Sequence, residues 1–373
     1  MVFSTEDTGF MRRALDLAER ALYSSAPNPR VGCVLVTGEA GARTIVGEGF
    51  HMRPGQAHAE VAAIAAAGAA AAGATAFVTL EPCNHFGRTP PCVNALIDAG
   101  VARVVAAMAD PNPIASGGAA RLRAAGIAVD FGLLEAEARA LNPGFISRVT
   151  RGRPWMRMKL AATLDGRTAL ANGVSQWITG PAARADGHHW RARADAVLTG
   201  IGTVRDDDPV LNVREVATER QPLRIIVDSR LEIDPAARIL DTEGAGPVLI
   251  AMASADAPRE AALRERGVEL LCLPDARGKV ELSHLVHELG RRGLSEVHVE
   301  AGTRLNGSLL RAGLIDELVV YVAPSIIGDT GRGMFALPEL QSMAGKVRLE
   351  FTDVRRFGED LRIIARVHPT SQD

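Results

Sequence analysis

Four cysteines in 373 residues are too few for a disulfide framework, so they read as core, metal or catalytic thiols of a reducing compartment. An excess of one charge is missing too. With 42 Lys+Arg against 44 Asp+Glu, the formal net charge of −2 exerts no pull toward a nucleic-acid backbone or an anionic membrane, and neither is expected as a partner. The opening Met1-Val-Phe-Ser-Thr-Glu-Asp7 lacks a basic n-region and an apolar h-region, so no signal peptide is expected and the protein is assigned to the cytoplasm. Strongly apolar runs are lacking as well. Val61–Leu80 is uncharged and long enough to span a bilayer, but eleven of its residues are Ala and only five are large and apolar. An Ala-rich helix running into a short strand, Thr75–Leu80, is the better expectation. Lysine is scarce: Lys159, Lys279 and Lys346 are the three among 42 basic residues.

What is present is the composition of an ordinary soluble globular protein, 47% hydrophobic and 23% charged. At roughly 150 residues per domain, the length predicts two domains. Met11, Leu15, Ala18 and Leu22 recur at helical spacing behind Thr8, a plausible cap. Val31–Val36 and Ile45–Gly49 predict a hairpin. Strands at 103–108 and 127–131 then alternate with helices at 91–99 and 118–125, an α/β layer pattern. Turn formers cluster at Leu141-Asn-Pro-Gly144 and Arg151-Gly-Arg-Pro154, which predicts domains of 1–147 and 148–373. The second domain repeats the α/β pattern, with strands at 156–161, 196–200, 223–227, 248–251, 269–273, 296–299, 317–322, 347–354 and 361–367 and helices at 182–191, 258–266, 283–292 and 304–312.

His58-Ala-Glu60 opens the Ala-rich helix, Pro82-Cys83 follows the next strand, and Cys92 opens the helix after it. One imidazole and two thiolates make a three-ligand Zn²⁺ set with a fourth position left for water. Glu60, at a helix start, can reach that water and relay its proton to a leaving amine. H-x-E with P-C-x-x-C is the pattern of zinc nucleobase deaminases. Here eight residues separate Cys83 from Cys92, and His85 lies between them. Spacing alone therefore leaves open a closed structural site of His58, Cys83, His85 and Cys92, or no metal.

Pro27-Asn-Pro-Arg-Val-Gly-Cys33, Gly49-Phe-His51, His58-Ala-Glu60 and Thr79-Leu-Glu-Pro-Cys-Asn-His-Phe-Gly-Arg-Thr-Pro-Pro-Cys92 follow a family order. They resemble the deaminase domain of the bifunctional riboflavin-biosynthesis deaminase–reductases. The resemblance implies a cytidine-deaminase-like three-layer α/β/α domain acting on a diaminohydroxy-phosphoribosylaminopyrimidine. It implies ligands His58, Cys83 and Cys92, Glu60 as proton shuttle, and substrate contacts at Asn28, His51 and Arg88, the last facing the phosphate. His85 is then a loop residue, not a ligand.

The second domain has no dinucleotide fingerprint, because Gly200-Ile-Gly202-Thr-Val-Arg205 lacks the third glycine of G-x-G-x-x-G. Two turns rich in small residues, 199–203 and 299–308, could offer backbone N–H groups to phosphate. Lys159 puts an ammonium on an otherwise apolar strand, as a tunable proton source or as a snorkelling strand-end lysine.

Lys159, Leu164-Asp-Gly166, Ser175-Gln-Trp-Ile-Thr179, Thr199-Gly-Ile-Gly-Thr203, Asp207-Asp-Pro209, Leu211-Asn-Val-Arg214 and Glu300 are similar in order and spacing to the family's reductase domain. That implies a dihydrofolate-reductase-like α/β fold using NADPH. Ala161, Trp177, Thr203, Asp207, Ser229 and the run Gly302, Thr303, Arg304, Leu305, Asn306, Gly307, Ser308 would surround the cofactor. Ser175, Arg191, Leu211, Arg214 and Glu300 would surround the substrate, with both arginines at its phosphate and Lys159 polarising C1′. Ala301 stands where the family usually has Gly. The resemblance also implies a homo-oligomer.

Cys33 and Cys272 are expected in the core, His188 and His189 on a helix surface, and His284 and His287 on a solvated face. A polynucleotide deaminase and a non-catalytic zinc scaffold are the competing readings. Balanced charge argues against the first, and Glu60, which a structural site does not need, against the second.

Overall fold

A computed structural model gives the structure of the chain and describes residues 3–254 and 256–368. The chain forms two compact units, one ending at Gly152 and the other beginning at Arg153, at the second turn cluster.

The first unit comprises α1 (Thr5–Glu19), β1 (Gly32–Thr37), β2 (Thr44–Phe50), α2 (Ala59–Ala67), β3 (Thr75–Val78), α3 (Cys92–Asp98), β4 (Arg103–Ala106), α4 (Gly118–Ala124), β5 (Ala128–Phe131), α5 (Glu135–Leu141) and α6 (Pro143–Arg151). Its sheet order is β2-β1-β3-β4-β5, with β1 antiparallel to both neighbours and β3, β4 and β5 parallel. Helix α1 covers one face and α2 the other, with α3 and α4 following α2, so the layers are α/β/α. Ser4, not Thr8, caps α1, through a reciprocal capping box with Asp7. The helix therefore starts earlier than its apolar spacing suggests and ends before Leu22. The first turn cluster is a helix start: Pro143 at the first position of α6 has no N–H to leave unpaired.

The alanine run has a packing reason. Helix α2 lies so close on β2 that a Cβ at Gly49 would sit 2.4 Å from the Ala59 carbonyl oxygen, and one at Gly47 2.2 Å from that of Ala63. Small residues on both sides allow backbone to approach backbone, which fixes where the helix start, carrying His58 and Glu60, comes to rest.

The second unit contains β6 (Trp155–Thr163), β7 (Arg167–Ala169), α7 (Pro181–Arg193), β8 (Ala196–Gly200), α8 (Ile201–Asp207), β9 (Leu223–Val227), β10 (Val248–Met252), α9 (Ala257–Glu265), β11 (Glu269–Cys272), α10 (Leu282–Arg291), β12 (Glu296–Val299), α11 (Thr303–Arg311), β13 (Glu317–Ala323), β14 (Arg332–Gly333), β15 (Leu349–Phe357) and β16 (Asp360–Val367). Nine strands form one sheet in the order β11-β10-β9-β8-β12-β6-β13-β16-β15, every neighbouring pair parallel except β13–β16 and β16–β15. Alternate residues feed separate cores. Leu198, Ile225, Leu249 and Val299 pack with Leu285 and Leu309 of α10 and α11, while Val197, Ile226 and Ile250 pack on the other face with Val204 and Leu263.

Two expectations about single residues fail here. Cys272 is exposed, because β11 is the edge strand and its end leaves the sheet's cover. His188 is buried at 5% exposure, on the α7 face turned toward the protein. Cys33 is buried, and His189, His284 and His287 are exposed, as expected.

Gly49→Ala is expected to destabilise the first unit by about 1–3 kcal/mol through overpacking, read as a lower urea midpoint with unchanged slope. An unaltered midpoint would contradict the close α2–β2 approach.

Candidate active sites

In the first unit, three elements deliver the donors. His58 is the N-cap of α2, Cys83 follows β3, and Cys92 is the first residue of α3. His58 Nδ1 lies 3.1 Å from Cys92 Sγ and 3.6 Å from Cys83 Sγ, and the sulfurs are 3.3 Å apart. Tetrahedral Zn²⁺ with bonds of about 2.0–2.3 Å needs donor separations of about 3.5 Å, so these three residues fit the ion. They form the cluster of metal-binding type found among the described residues, and His85 is not part of it. The Cys92 backbone N–H also donates to Cys83 Sγ at 3.3 Å. Hydrogen bonds from Cys92 and His58 hold the Cys83 thiol well below its ordinary pKa.

Glu60 is 3% exposed, and burial together with the charge of Cys83 pushes its carboxyl up to about 7. Asn28 and His51 sit beside the donors. His51 Nδ1–H donates to the Ala57 carbonyl at 3.1 Å, which leaves Nε2 to accept from the Asn28 amide at 3.0 Å. The His51 and His58 rings meet edge to face at 5.2 Å. Arg88 stands exposed on the loop between the cysteines.

Sequence reasoning passed over the supports of Cys83. The buried Glu81 carboxylate accepts from the N–H groups of Asp110 (3.1 Å) and Ala119 (3.0 Å), tying the loop after β3 to the start of α4. A Cβ on Gly118 would lie 1.9 Å from the Pro82 carbonyl oxygen, so only glycine fits there. Thr89 Oγ1 lies 3.4 Å from His58 Nε2, the nitrogen opposite the donor side.

In the second unit, β6 is not apolar apart from Lys159. It alternates, with Met156, Met158 and Leu160 in the α10–α11 core and Arg157 and Lys159 on the opposite face. Neighbouring β12 likewise turns Glu296 and His298 to that face, and Glu300 follows directly after it. Arg157 is bonded to Glu296 at 2.9 Å and to Glu317, a buried network that the sequence reading did not find.

Glu300 is held by Arg191 of α7 in a two-point pair, Nε to Oε1 and Nη2 to Oε2 at 2.9 Å. Burial alone would raise the Glu300 carboxyl, but Arg191 outweighs it and holds the group well below the usual carboxylate range. Half-buried Lys159 lies 5.9 Å over the Tyr321 ring. Burial lowers its pKa, while the nearby Glu300 opposes that shift. Arg191 Nη1 also donates to the Asn212 carbonyl at 3.2 Å. Lys159, Arg191, Glu300 and the Leu211–Arg214 segment thus form one neighbourhood.

The expected cofactor residues divide. A Cβ on Gly302 would come 3.7 Å from Thr203 Oγ1, so the starts of α8 and α11 face one another beyond the ends of parallel β8 and β12. From there the chain runs to β9 on one side and to β13 on the other, the switch point where open α/β sheets bind ligands. Ser175 Oγ donates to Asp207 Oδ1 at 3.0 Å beside a cleft of about 340 Å³ that both residues line with Asp206. Trp177 is exposed, with the Arg184 guanidinium 4.5 Å over its ring. Other positions have local duties. A Cβ on Gly307 would lie 2.1 Å from the Ala336 carbonyl oxygen, the Ser308 hydroxyl bonds back to Arg304, and the Ser229 hydroxyl accepts from the Val280 N–H at 3.1 Å. Ala301 packs against the core, and its carbonyl accepts from the Asn306 amide, so its methyl is accommodated.

Residues 4–108 match the profile of the cytidine and deoxycytidylate deaminase zinc-binding region, and residues 154–363 that of the RibD C-terminal domain. The riboflavin biosynthesis protein RibD of Escherichia coli (strain K12) is 46% identical over 372 residues, covering 95% of this chain and 98% of the relative. The chain belongs to the RibD family. The RibD of Aquifex aeolicus (strain VF5) is 42% identical, with 96% of this chain and 97% of the relative covered. An Acinetobacter baumannii RibD structure superposes with a TM-score of 0.87 at 42% identity, over 97% of this chain and 99% of that one. A Thermotoga maritima structure, described as a diaminohydroxyphosphoribosylaminopyrimidine deaminase/5-amino-6-(5-phosphoribosylamino)uracil reductase, gives 0.85 at 32% identity, over 97% and 99%. The chain is accordingly a bifunctional deaminase and reductase of riboflavin biosynthesis, with a zinc-binding deaminase domain and a reductase domain of the NADPH-using RibD type. Among the described residues, no helix is long and apolar enough to cross a membrane.

Because the Glu300 carboxyl is held below its unfolded value, its contribution to stability is present above the ordinary carboxylate range and lost as pH falls through the folded value. Arg191→Met strands that charge and is expected to destabilise by roughly 3–5 kcal/mol at pH 7. The deficit should shrink toward pH 4 as Glu300 takes up a proton, and urea titrations at the two pH values measure it.

Proposed function

We propose that the first unit deaminates diaminohydroxyphosphoribosylaminopyrimidine and that the second reduces the product, 5-amino-6-(5-phosphoribosylamino)uracil, opening its ribosyl group to ribityl. Both are small phosphorylated pyrimidines. The observation that carries this reading is a buried carboxyl, Glu60, on the first turn of the helix that His58 caps, beside two sulfur donors 3.3 Å apart. A purely structural zinc site has no use for it.

His58, Cys83 and Cys92 hold the zinc, which when bound supplies Lewis-acid activation of water at neutral pH. Glu60 accepts a proton from that water as its oxygen bonds to the ring carbon bearing the amine. It then returns the proton to the amine nitrogen, and ammonia leaves. A buried carboxyl on the first turn of α2, beside the donors, is placed to do both. Asn28, held by His51, keeps its amide oxygen and one N–H free of that bond to orient the pyrimidine, and Arg88 reaches its phosphate.

In the second unit, bound NADPH supplies a hydride. The facing starts of α8 and α11, with Thr203 and Gly302–Ser308, accommodate it together with Ala161, Trp177, Asp207 and Ser229. Lys159 holds a proton at Nζ and polarises C1′ of the ring-opened sugar imine, and Glu300 keeps that ammonium charged. Arg191 fixes Glu300, Ser175 and the Leu211 backbone line the substrate, and Arg214 meets its phosphate. The deaminase function is assigned to 1–147 and the reductase function to 148–373, a division that falls inside α6, five residues before the second compact unit begins at Arg153.

Homo-oligomerisation is proposed through the sheet edge, where β15 leaves Leu349, Phe351 and Val354 exposed. Four free cysteines, two of them metal donors, suit a reducing cytoplasm.

Glu60→Gln should retain stoichiometric zinc and NADPH oxidation while losing deamination by at least a hundredfold; near-normal ammonia release refutes the shuttle. Lys159→Ala should slow NADPH oxidation by about 10²–10⁴-fold and leave ammonia release unchanged. Equal loss of both activities counts against its assigned role.

A further inference from the structure

The segment Val210–Arg214 is irregular, and side chains rather than a neighbouring strand satisfy its backbone. The Val213 N–H donates to Gln221 Oε1 at 2.8 Å, and Gln221 Nε2 donates back to the Val213 carbonyl at 2.9 Å. The Gln221 amide thus pairs with Val213 as a strand neighbour would, at both of its hydrogen-bonding groups. The Val210 carbonyl accepts from Arg224 Nη1 at 3.2 Å, the Asn212 carbonyl from Arg191 Nη1, and His188 Nδ1 from the Arg214 N–H at 3.4 Å. Burial pulls the His188 imidazole down to about 4, so it is neutral at pH 7 and able to accept. Leu211 is buried with φ +56°, a left-handed conformation that a leucine adopts only where its surroundings impose it. The turn at Leu211 sends its side chain into the core beside Val204 and Ile226, and leaves Arg214 exposed three residues on. Arg214 is itself steadied by a bond from Nη1 to Asn212 Oδ1 at 2.8 Å.

Nothing in this arrangement requires Gln221 for the core, since Val213 and Leu211 are already packed. What its amide adds is the path of the backbone immediately before Arg214. We infer that Gln221 is a positioning residue for recognition of the substrate's phosphate, acting through Val213 to aim the Arg214 guanidinium, with His188 as its partner on the other side. This rests on the assignment of Arg214 to the phosphate. A guanidinium displaced by 1 Å loses the paired geometry that distinguishes a phosphate monoester from a hydroxyl. The effect should therefore fall on selectivity for the phosphorylated substrate rather than on cofactor use.

The test uses the full-length enzyme and NADPH oxidation with 5-amino-6-(5-phosphoribosylamino)uracil and its dephosphorylated counterpart. Gln221→Met, of similar length but without hydrogen-bonding groups, is expected to raise the KM for the phosphorylated substrate about tenfold. It should reduce the preference for phosphorylated over dephosphorylated substrate by a similar factor, with the KM for NADPH unchanged within twofold. Gln221→Glu keeps the acceptor for the Val213 N–H but loses the donor. It should give the same selectivity loss, and it carries the test if the methionine variant does not fold. In an Arg214→Ala background either change should add less than twofold. A Gln221 variant that keeps the full phosphate preference while Arg214→Ala loses it overturns the inference. If Arg214→Ala itself leaves the preference intact, the phosphate assignment fails first. Losses that multiply in the double variant show Gln221 acting by another route and also overturn it.

Discussion

The metal donors depend on how closely a helix can approach a strand. Helix α2 lies against β2 with Gly47 and Gly49 facing Ala59 and Ala63, so the contact is backbone on backbone. This sets the height of the helix start above the sheet, because the groups that meet there are backbone and alanine methyls that cannot swing aside. His58 and Glu60 take their positions from it. The same device recurs where Gly118 meets the Pro82 carbonyl, placing α4 against the loop that carries Cys83. The site is built from rigid short contacts whose chemistry is glycine and alanine, and the reactive residues stand on top of them.

The second unit solves a different problem. A parallel sheet covered on both faces calls for apolar residues throughout, yet β6 and β12 carry Arg157, Lys159, Glu296 and His298 on one face, with Glu300 directly after β12. Each buried charge is matched: Arg157 by Glu296 and Glu317, and Glu300 by Arg191. The alternative would be unpaired charge in a medium that cannot solvate it. Burial lowers the pKa of Lys159, the remaining cation in this column, and the nearby Glu300 opposes that shift.

Much of this was legible in the residues. The strands at 196–200, 223–227 and 296–299 follow from short β-branched runs bounded by turn formers; donor type and placement marked His58, Cys83 and Cys92 as candidate ligands, while setting His85 aside came only with the family resemblance. The misses have physical causes. The first helix shows its apolar spacing from Met11 onward, but its true start is set by Ser4 and Asp7, a polar signal that the apolar pattern hides. Helix α6 was obscured because Asn-Pro reads as a turn when it is also a helix opening. Cys272 and His188 look alike in sequence terms as small or amphipathic residues in regular elements. Only the position of β11 at an edge and of α7 over the sheet separates an exposed thiol from a buried imidazole. Gln221 carried no local signal, since its partner lies eight residues away in an irregular stretch.

Arg224, fully buried in β9, has no carboxylate in salt-bridge contact among the described residues; its guanidinium gathers the carbonyls of Val210, Asp241 and Gly246. It works like a bound cation that the chain supplies for itself, splicing two connecting loops to one strand. Lysine, a point charge on a flexible stem, cannot reproduce a planar fork with several fixed donors. The connections at 241–246 and around 210 are therefore poor places to cut, graft or permute this protein, however exposed their tips, because opening either one leaves a charge in hydrocarbon.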